Sequence, residues 1–286
     1  MTATAASSLA AAPTRAAVMA QAPSENFPVA SRLVGAKRRR HLLAIYGFAR
    51  LVDDAGDEAS GDRMALLDAI EGDLDRVFAN AAPEHPVLQT LAGSVRALDI
   101  PDGPFRRLIE ANRRDQVLER YPSFDVLLDY CQLSAAPVGE LVLHVFDSAT
   151  PDRIRLSDRI CAALQITEHL QDVAEDRARG RVYLPAEDLE RFGAADADLL
   201  AGAPSRAFAE LMAFEVRRAR ALLAEGAPLI RGLSPRGAVA VAGFVAGGRA
   251  ALDAIAAAGY DVLGRRPRPT RAAFAAAFVR TLRGRR

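Results

Sequence analysis

Apolar residues recur at three- and four-residue steps along most of the chain, the spacing that puts side chains on one face of an α-helix. Turn-forming residues separate these stretches, as at residues 101–104, Pro-Asp-Gly-Pro. A further helix is expected to begin at Ser123, because serine favours the position before the first helical turn. The pattern predicts an all-α protein with helices at residues 65–78, 87–98, 105–119, 156–177, 204–223, 234–259 and 270–286.

Residues 164–185 carry acidic side chains along one helical face. Asp172 and Asp176 stand four residues apart, where like charges repel unless a cation lies between them. Mg²⁺ is a natural cation for this position, because it takes a few carboxylate oxygens and leaves its other positions to water or substrate phosphate. The alternative is a solvated acidic face whose charge is balanced by nearby arginines, Arg177, Arg179 and Arg181.

A second acidic pair lies far upstream, in residues 46–58. Asp53 and Asp57 repeat the same separation, and the segment before them is also apolar at helical spacing. If the two acidic helices face each other across a cavity, each can hold Mg²⁺, and the diphosphate of a ligand can be clamped between them. Arg50 lies on nearly the same face, so its guanidinium either neutralises the acids or donates to a diphosphate oxygen.

Composition restricts the class of protein. The 286 residues are half hydrophobic, enough for a large core, and their net charge of +1 does not indicate a nucleic-acid partner. We expect a disordered tail at residues 1–23 and one domain at residues 24–286. Cys131 and Cys161 lie in apolar helical contexts, as reduced thiols of a cytosolic protein do. The longest apolar run, residues 237–248, is too short to span a bilayer.

Four short motifs resemble those of the squalene/phytoene synthase family. FARLVDDAGDE at residues 48–58 and LQDVAEDRARGRVYLP at residues 170–185 carry the likeness to the family. ENFPVASRLV at residues 25–34 and APVG at residues 136–139 resemble the hopanoid-pathway hydroxysqualene synthase branch. The resemblance runs from about Glu25 to the end of the chain and implies a single-domain isoprenoid-synthase-type helical bundle around a central cavity.

The resemblance also implies roles for particular residues. The four metal-binding residues that it implies are Asp53, Asp57, Asp172 and Asp176, and it places Arg50 and Tyr183 beside them in catalysis. The substrate-binding residues that it implies are Asn26, Phe27, Tyr46, Phe48, Val138, Gln165 and Arg181. Two positions depart from the family pattern: Asn26 stands at a serine position, and Glu168 stands at a position that is commonly asparagine.

In this branch the implied reaction is Mg²⁺-dependent ionisation of presqualene diphosphate, followed by rearrangement and water capture to give hydroxysqualene. Aromatic faces stabilise such a cation without trapping it, although each ring is otherwise a normal core residue. One alternative is head-to-head condensation of prenyl diphosphates to presqualene diphosphate, squalene or phytoene. Squalene formation requires a reductant, and no Gly-rich dinucleotide fingerprint follows a strand here. A second alternative is a non-catalytic partner subunit.

These implications extend to location and partners. The expected substrate is an isoprenoid diphosphate, and the protein partners considered are other enzymes of the squalene and hopanoid pathway. Residues 270–286 form a basic amphipathic helix, which we expect to dock on the bundle rather than rest on an anionic membrane surface. The expected location is the cytoplasm, and the alternative is peripheral contact with the inner face of the membrane. Residues 260–269 form an arginine-rich loop that has counterparts in the branch.

Overall fold

A computed structural model describes residue 9 and residues 11–20 and 34–284 of the chain, and this part is all-helical. The prediction of an all-α protein is therefore confirmed. Within the described ranges the only extended pairing is an isolated parallel bridge between Arg120 and Val182. The helices are α1 Arg15–Ala20, α2 Ala36–Asp57, α3 Arg63–Phe78, α4 Pro86–Leu98, α5 Gly103–Asp115, α6 Phe124–Ser134, α7 Ala136–Val145, α8 Pro151–Gln171, α9 Val173–Ala178, α10 Ala186–Phe192, α11 Asp196–Leu199, α12 Arg206–Gly226, α13 Pro235–Ala257 and α14 Arg271–Arg283, with a 3₁₀ helix at Ala227–Gly232.

The chain forms two compact units, and the first contains the upstream acidic pair. It comprises residues 1–117 and 137–150. Helix α2 is its centre, because α3, α4 and α5 all pack against it. Leu51 and Val52, just before the acidic pair, are completely buried. Burying this apolar face fixes the rotation of α2, and therefore the direction in which the aspartates of the next turn point.

The tail at residues 1–23 was expected to be disordered, and this is wrong for α1. Thr14 accepts a hydrogen bond from the Ala17 backbone N–H, and its carbonyl accepts one from Val18, so the helix has a defined start. Val18 is completely buried, and α1 packs against α2. An alanine-rich segment has high helix propensity, and one or two apolar side chains suffice to dock so short a helix. Residues 1–8, 10 and 21–23 of the tail lie outside the described residues.

The second unit comprises residues 118–136 and 151–286 and is built on the pairing of α8 with α12. These helices approach closely at Gly226, where a Cβ atom would lie 2.6 Å from the Leu156 carbonyl oxygen. Helix α13 joins them at Gly248, where a Cβ would lie 2.7 Å from a methyl group of Leu164. The glycines and alanines of α13 thus permit close packing.

Most predicted helices have the expected starting signals. The hydroxyls of four residues accept a hydrogen bond from a backbone N–H of the first turn, as favourable N-caps do: Ser123, Ser205, Ser234 and Thr270. Asp62 caps α3 in the same way. Helix α5 ends at Asp115 rather than at residue 119, because the chain turns at Gln116. The backbone then takes an extended conformation before it reaches Pro122. Local capping chemistry therefore explains where these helices begin.

The helix predicted over residues 156–177 is interrupted, and this prediction is wrong in one detail. Asp172 leaves helical geometry, with φ −106° and ψ 14°, and divides the stretch into α8 and α9. The Asp176 backbone N–H nevertheless donates to the Asp172 carbonyl at 2.8 Å. The two aspartates therefore remain one turn apart although the helix breaks between them.

Two stretches satisfy the length and composition test for a membrane span. They are Phe124–Val145, which is interrupted at Ala135, and Pro235–Ala257. In their most apolar windows 50% and 67% of the residues are already buried inside the protein. Core helices of soluble proteins pass the same test, so these stretches are weak indications of a membrane span.

The C-terminal basic helix docks on its own unit, as expected. Phe274 and Phe278 of α14 pack against a buried cluster formed by Ala246, Ala250 and Ala277. The two rings are parallel, with centroids 6.2 Å apart. The arginines of α14 remain exposed on the other side of the helix.

The close approach at Gly226 gives a stability prediction. Gly226→Ala forces the new methyl group against the backbone of α8, so we expect a loss of about 1–3 kcal/mol in the free energy of unfolding. Gly72→Ala is the matched control, because Gly72 is exposed in α3 and its Cβ would meet nothing within 4 Å. The control should gain about 0.5–1 kcal/mol from helix propensity. Urea unfolding of both variants measures this, and equal stability of the two would contradict the packing account.

Candidate active site

The upstream acidic motif lies on the last turns of α2. Asp53 and Asp57 retain exposed surface, whereas Asp54 between them is buried. Arg50 Nε lies 2.7 Å from Asp54 Oδ1, and Arg50 Nη2 lies 3.2 Å from Glu58 Oε1. Arg50 therefore neutralises the neighbouring acids Asp54 and Glu58 in this structure. Its contact with a diphosphate stays a prediction.

Helix α5 supports Asp53 from the side. Asn112 Nδ2 donates to Asp53 Oδ1 at 3.2 Å, and Gln116 Nε2 donates to the Gly56 carbonyl at 3.0 Å. Glycine is required at 56, because a Cβ there would lie 2.2 Å from Asn112 Oδ1. Asp53 keeps accessible surface, yet desolvation by the surrounding protein raises its pKa to about 7, against the lowering effects of Asn112 and Arg50. This carboxyl is therefore easily protonated for an aspartate.

Sequence reasoning missed two residues of α5. Asn112 and Gln116 make contacts with the acidic helix. These two residues are four apart and share one helical face. That face was the available signal, but an amide carries no charge and is easily passed over.

The downstream acidic motif ends in a defined C-cap. After α9, Gly180 adopts a left-handed conformation with φ +87°. The Arg181 N–H donates to the Asp176 carbonyl at 2.9 Å and the Gly180 N–H to the Arg177 carbonyl at 3.1 Å, the two bonds of a Schellman motif. The chain then reverses, and the Val182 N–H donates to the Glu119 carbonyl at 2.8 Å. Tyr183 is thereby returned to the side of the acidic motif.

A cation already lies against the downstream pair. Arg266 Nε is 2.6 Å from Asp172 Oδ1, and His169 Nδ1 is 3.7 Å from Asp176 Oδ2. Burial raises the pKa of Asp172 to about 6, with Asp176 adding to the increase and Arg266 opposing it. The loop that carries Arg266 is held by Gln171, whose Nε2 donates to the Pro267 carbonyl at 2.6 Å. The sequence showed this loop to be arginine-rich but did not show which arginine reaches the acids.

An aromatic cluster surrounds Tyr183. Its ring stacks on His169, with centroids 3.6 Å apart and planes inclined by 12°. Tyr121 and Tyr130 lie on its other sides, with centroid distances of 5.4 and 5.8 Å. Gln165 Nε2 lies 3.1 Å from His169 Nε2 and so orients the imidazole. Sequence reasoning identified Tyr183 and Gln165 but missed the imidazole and the two tyrosines that hold them.

A small recess joins part of this motif to the returning loop. It is shallow, and most of the roughly 200 Å³ of space that it borders is open to solvent. Three predicted site residues line it together, namely Asp176, Arg181 and Tyr183, and His169 and Arg177 complete its polar wall. The recess thus combines a carboxylate, two guanidinium groups and aromatic surface within one unit.

The other predicted substrate-binding residues have different positions. Phe48 is completely buried and meets Phe105 edge to face, with centroids 5.2 Å apart, and its contact with substrate stays a prediction. Helical spacing could not separate such a core ring from one that lines a cavity. Tyr46 is half-buried, and Val138 is 37% exposed on α7. Asn26 and Phe27 lie outside the described residues.

The carboxylates fit a hard divalent cation. Each acidic pair offers two carboxylates. Among residues 34–284, no group of three or more His, Cys, Asp or Glu side chains is arranged to hold a metal ion. Mg²⁺ is commonly bound by one or two carboxylates, with water and substrate phosphate in its other positions. Asp172 Oδ1 and Asp176 Oδ2 are buried, and their partners in this structure are Arg266 and His169, respectively. That Asp53 and Asp57 face Asp172 and Asp176 stays a prediction.

The raised pKa values give a pH prediction. Below about pH 6 both Asp172 and Asp53 carry protons that Mg²⁺ must displace, so metal affinity should fall as pH falls. We expect the half-saturating Mg²⁺ concentration to rise roughly tenfold per pH unit for each displaced proton between about pH 7.5 and 5.5. Diphosphate release measured against Mg²⁺ at each pH checks this. Equal half-saturating concentrations at both ends of the range would contradict it.

The chain is similar to known proteins in both sequence and structure. The profile described as squalene/phytoene synthase matches residues 20–273. A hydroxysqualene synthase of Zymomonas mobilis is 39% identical over 180 residues, which are 61% of this chain and 59% of that protein. A phytoene synthase of Arthrospira platensis is 34% identical over 212 residues, covering 69% and 68% of the two chains. The crystal structure of squalene synthase HpnC from Alicyclobacillus acidocaldarius superposes with a TM-score of 0.80 at 41% identity, covering 88% of this chain and 98% of that one.

Proposed function

Because the chain belongs to the squalene/phytoene synthase family, we propose that it ionises presqualene diphosphate in a Mg²⁺-dependent reaction. Water captures the rearranged cation to give hydroxysqualene and diphosphate. The observation that carries this proposal is the recess in which Asp176, Arg181 and Tyr183 meet. Similarity to a hydroxysqualene synthase of Zymomonas mobilis supports the choice of reaction.

The charged residues act on the leaving group. Cleavage of the C–O bond leaves negative charge on the diphosphate and positive charge on carbon. The residues that would hold Mg²⁺ are Asp53 and Asp57 in one unit and Asp172 and Asp176 in the other, and bound Mg²⁺ would supply Lewis-acid stabilisation of the departing oxygen. Arg181 and Arg266 add guanidinium groups, whose planar forks suit phosphate oxygens. Arg266 pairs with Asp172 in this structure and so remains close to the carboxylates that it assists.

The aromatic cluster acts on the carbocation. Tyr183 is only 7% exposed, and stacking on His169 fixes its ring. The faces of aromatic rings carry negative quadrupole charge, so they stabilise a nearby cation without forming a bond to it. Two further tyrosines pack against the same ring and exclude water from it. Water capture is then confined to the part of the substrate that the cluster leaves accessible.

A second candidate is condensation of two prenyl diphosphates. The Arthrospira platensis protein, a phytoene synthase, is 34% identical to this chain, close to the value for the hydroxysqualene synthase. The HpnC structure carries the name of a squalene synthase. The same acidic pairs and arginines would ionise a prenyl diphosphate, so the two candidates differ in substrate and in the fate of the cation.

Substrate choice separates the two candidates. We expect purified protein with Mg²⁺ to convert presqualene diphosphate to hydroxysqualene and to leave farnesyl diphosphate unchanged, because only a cyclopropylcarbinyl substrate leads to the proposed cation. Product extraction and mass spectrometry measure both reactions. Turnover of farnesyl diphosphate without turnover of presqualene diphosphate would overturn the proposal in favour of condensation.

Substitution of the aspartates tests the remaining alternative, a non-catalytic partner subunit. Asp53→Ala and Asp172→Ala should each abolish turnover while leaving helical content unchanged. Asp129→Asn is the matched control, because Asp129 is an exposed acid of α6 outside both motifs. Absence of turnover in the unsubstituted protein with either substrate would favour a partner subunit of other pathway enzymes.

We place this activity in the cytoplasm, with the substrate entering from a membrane face. A C₃₀ diphosphate is amphiphilic, so it partitions into a bilayer. Peripheral contact would use exposed groups of α14, where Arg280, Arg283 and Val279 face solvent. Interaction with other enzymes of the squalene and hopanoid pathway would serve the transfer of lipid intermediates from one enzyme to the next.

A further inference from the structure

A second recess lies in the same unit as the downstream acidic motif but outside the candidate active site. Residues from α12, α13, α14 and the 3₁₀ helix line it, and it contains about 510 Å³ of empty space. One wall is apolar and includes Pro228 and Ile230. The polar wall consists of Arg231, Arg249 and Thr281, and no acidic residue is among the lining side chains.

Arg249 is held in place without a carboxylate. Its Nη1 donates to the Thr281 hydroxyl at 2.9 Å, and that hydroxyl donates to the Ala277 carbonyl at 2.8 Å. Thr281 is buried, so the guanidinium is fixed by a buried group rather than by solvent. Burial, with a further contribution from Arg280, lowers the pKa of Arg249. The guanidinium is thus partly desolvated, and Asp253 only partly opposes the decrease in its pKa.

The acid nearest in sequence is already occupied. Asp253 lies one turn after Arg249, but its Oδ1 is 2.8 Å from Arg220 Nη2 and its Oδ2 is 3.7 Å from Arg280 Nη2. Two arginines therefore share this one carboxylate, and Arg249 contributes excess positive charge.

Arg231 adds a second guanidinium to the recess. Its Nη2 donates to the Gly284 carbonyl at 3.0 Å, which anchors the exposed side chain at the rim. A carbonyl does not neutralise the charge, so the remaining N–H groups are available to an anion. Guanidinium groups suit phosphate oxygens because the planar fork donates parallel hydrogen bonds.

We propose that this recess binds a phosphate group, with Arg249 and Arg231 as its ligands and the apolar part of a phosphate ester against Pro228 and Ile230. The phosphate comes either from a soluble anion or from the headgroup of an anionic lipid, and the hydrogen-bonding chemistry is the same. The site is separate from the acidic motifs, so it goes beyond the proposed reaction and does not depend on turnover.

Binding of inorganic phosphate without Mg²⁺ tests the site directly. We expect isothermal titration to show binding to the unsubstituted protein, at least tenfold weaker binding to Arg249→Gln and Arg231→Gln, and unchanged binding to Arg236→Gln. Arg236 is the matched control, because it is an exposed arginine of α13 that does not line the recess. Because Arg231 is exposed, its variant keeps the test valid if Arg249→Gln does not fold.

Vesicles distinguish the two sources of phosphate. Co-sedimentation with phosphatidic acid in phosphatidylcholine vesicles, lost in Arg231→Gln and kept in Arg236→Gln, assigns the site to a lipid headgroup. Binding of inorganic phosphate without co-sedimentation assigns it to a soluble anion. The proposal is overturned if neither probe binds, or if both recess variants bind as the unsubstituted protein does. Turnover of presqualene diphosphate should be unchanged in Arg231→Gln, so loss of phosphate binding is distinguishable from failure of the proposed reaction.

Discussion

Repulsion between carboxylates one helical turn apart is the constraint on which the site depends. In the downstream motif, burial and the neighbouring Asp176 raise the pKa of Asp172 to about 6, and Arg266 only partly offsets them. In the upstream motif, desolvation by the surrounding protein raises the pKa of Asp53 to about 7, although Asn112 donates a hydrogen bond to it. Both motifs therefore hold acids in surroundings that disfavour their charge, and a bound cation relieves this cost.

The remaining structure keeps these acids in place. Packing of α2 on its neighbours sets the rotation of the upstream pair, and close approach at Gly226 fixes α8 against α12. The Schellman motif at Gly180 then returns the chain, which places Tyr183 among aromatic rings beside Asp176. Charge and aromatic surface are brought together by a turn of only a few residues.

Local patterns predicted the parts of the fold that depend on local chemistry. Helical periodicity and serine caps located most helices, and the spacing of Asp172 and Asp176 survived the helix break between them. Contacts between distant segments could not be predicted in this way. Nothing in the spacing showed that Asn112 reaches Asp53 or that Arg266 reaches Asp172. Phe48 shows the same limit, since a core ring and a cavity-lining ring share one helical pattern.

The most direct test is metal binding itself, measured with Mn²⁺ as a paramagnetic substitute for Mg²⁺. Electron paramagnetic resonance of free Mn²⁺, titrated with protein in the presence of inorganic diphosphate, reports the affinity without turnover. We predict binding that requires diphosphate and that is weakened at least tenfold by both Asp53→Asn and Asp172→Asn, but not by Asp129→Asn. Unchanged Mn²⁺ affinity in both motif variants would contradict the claim that these carboxylates hold the metal.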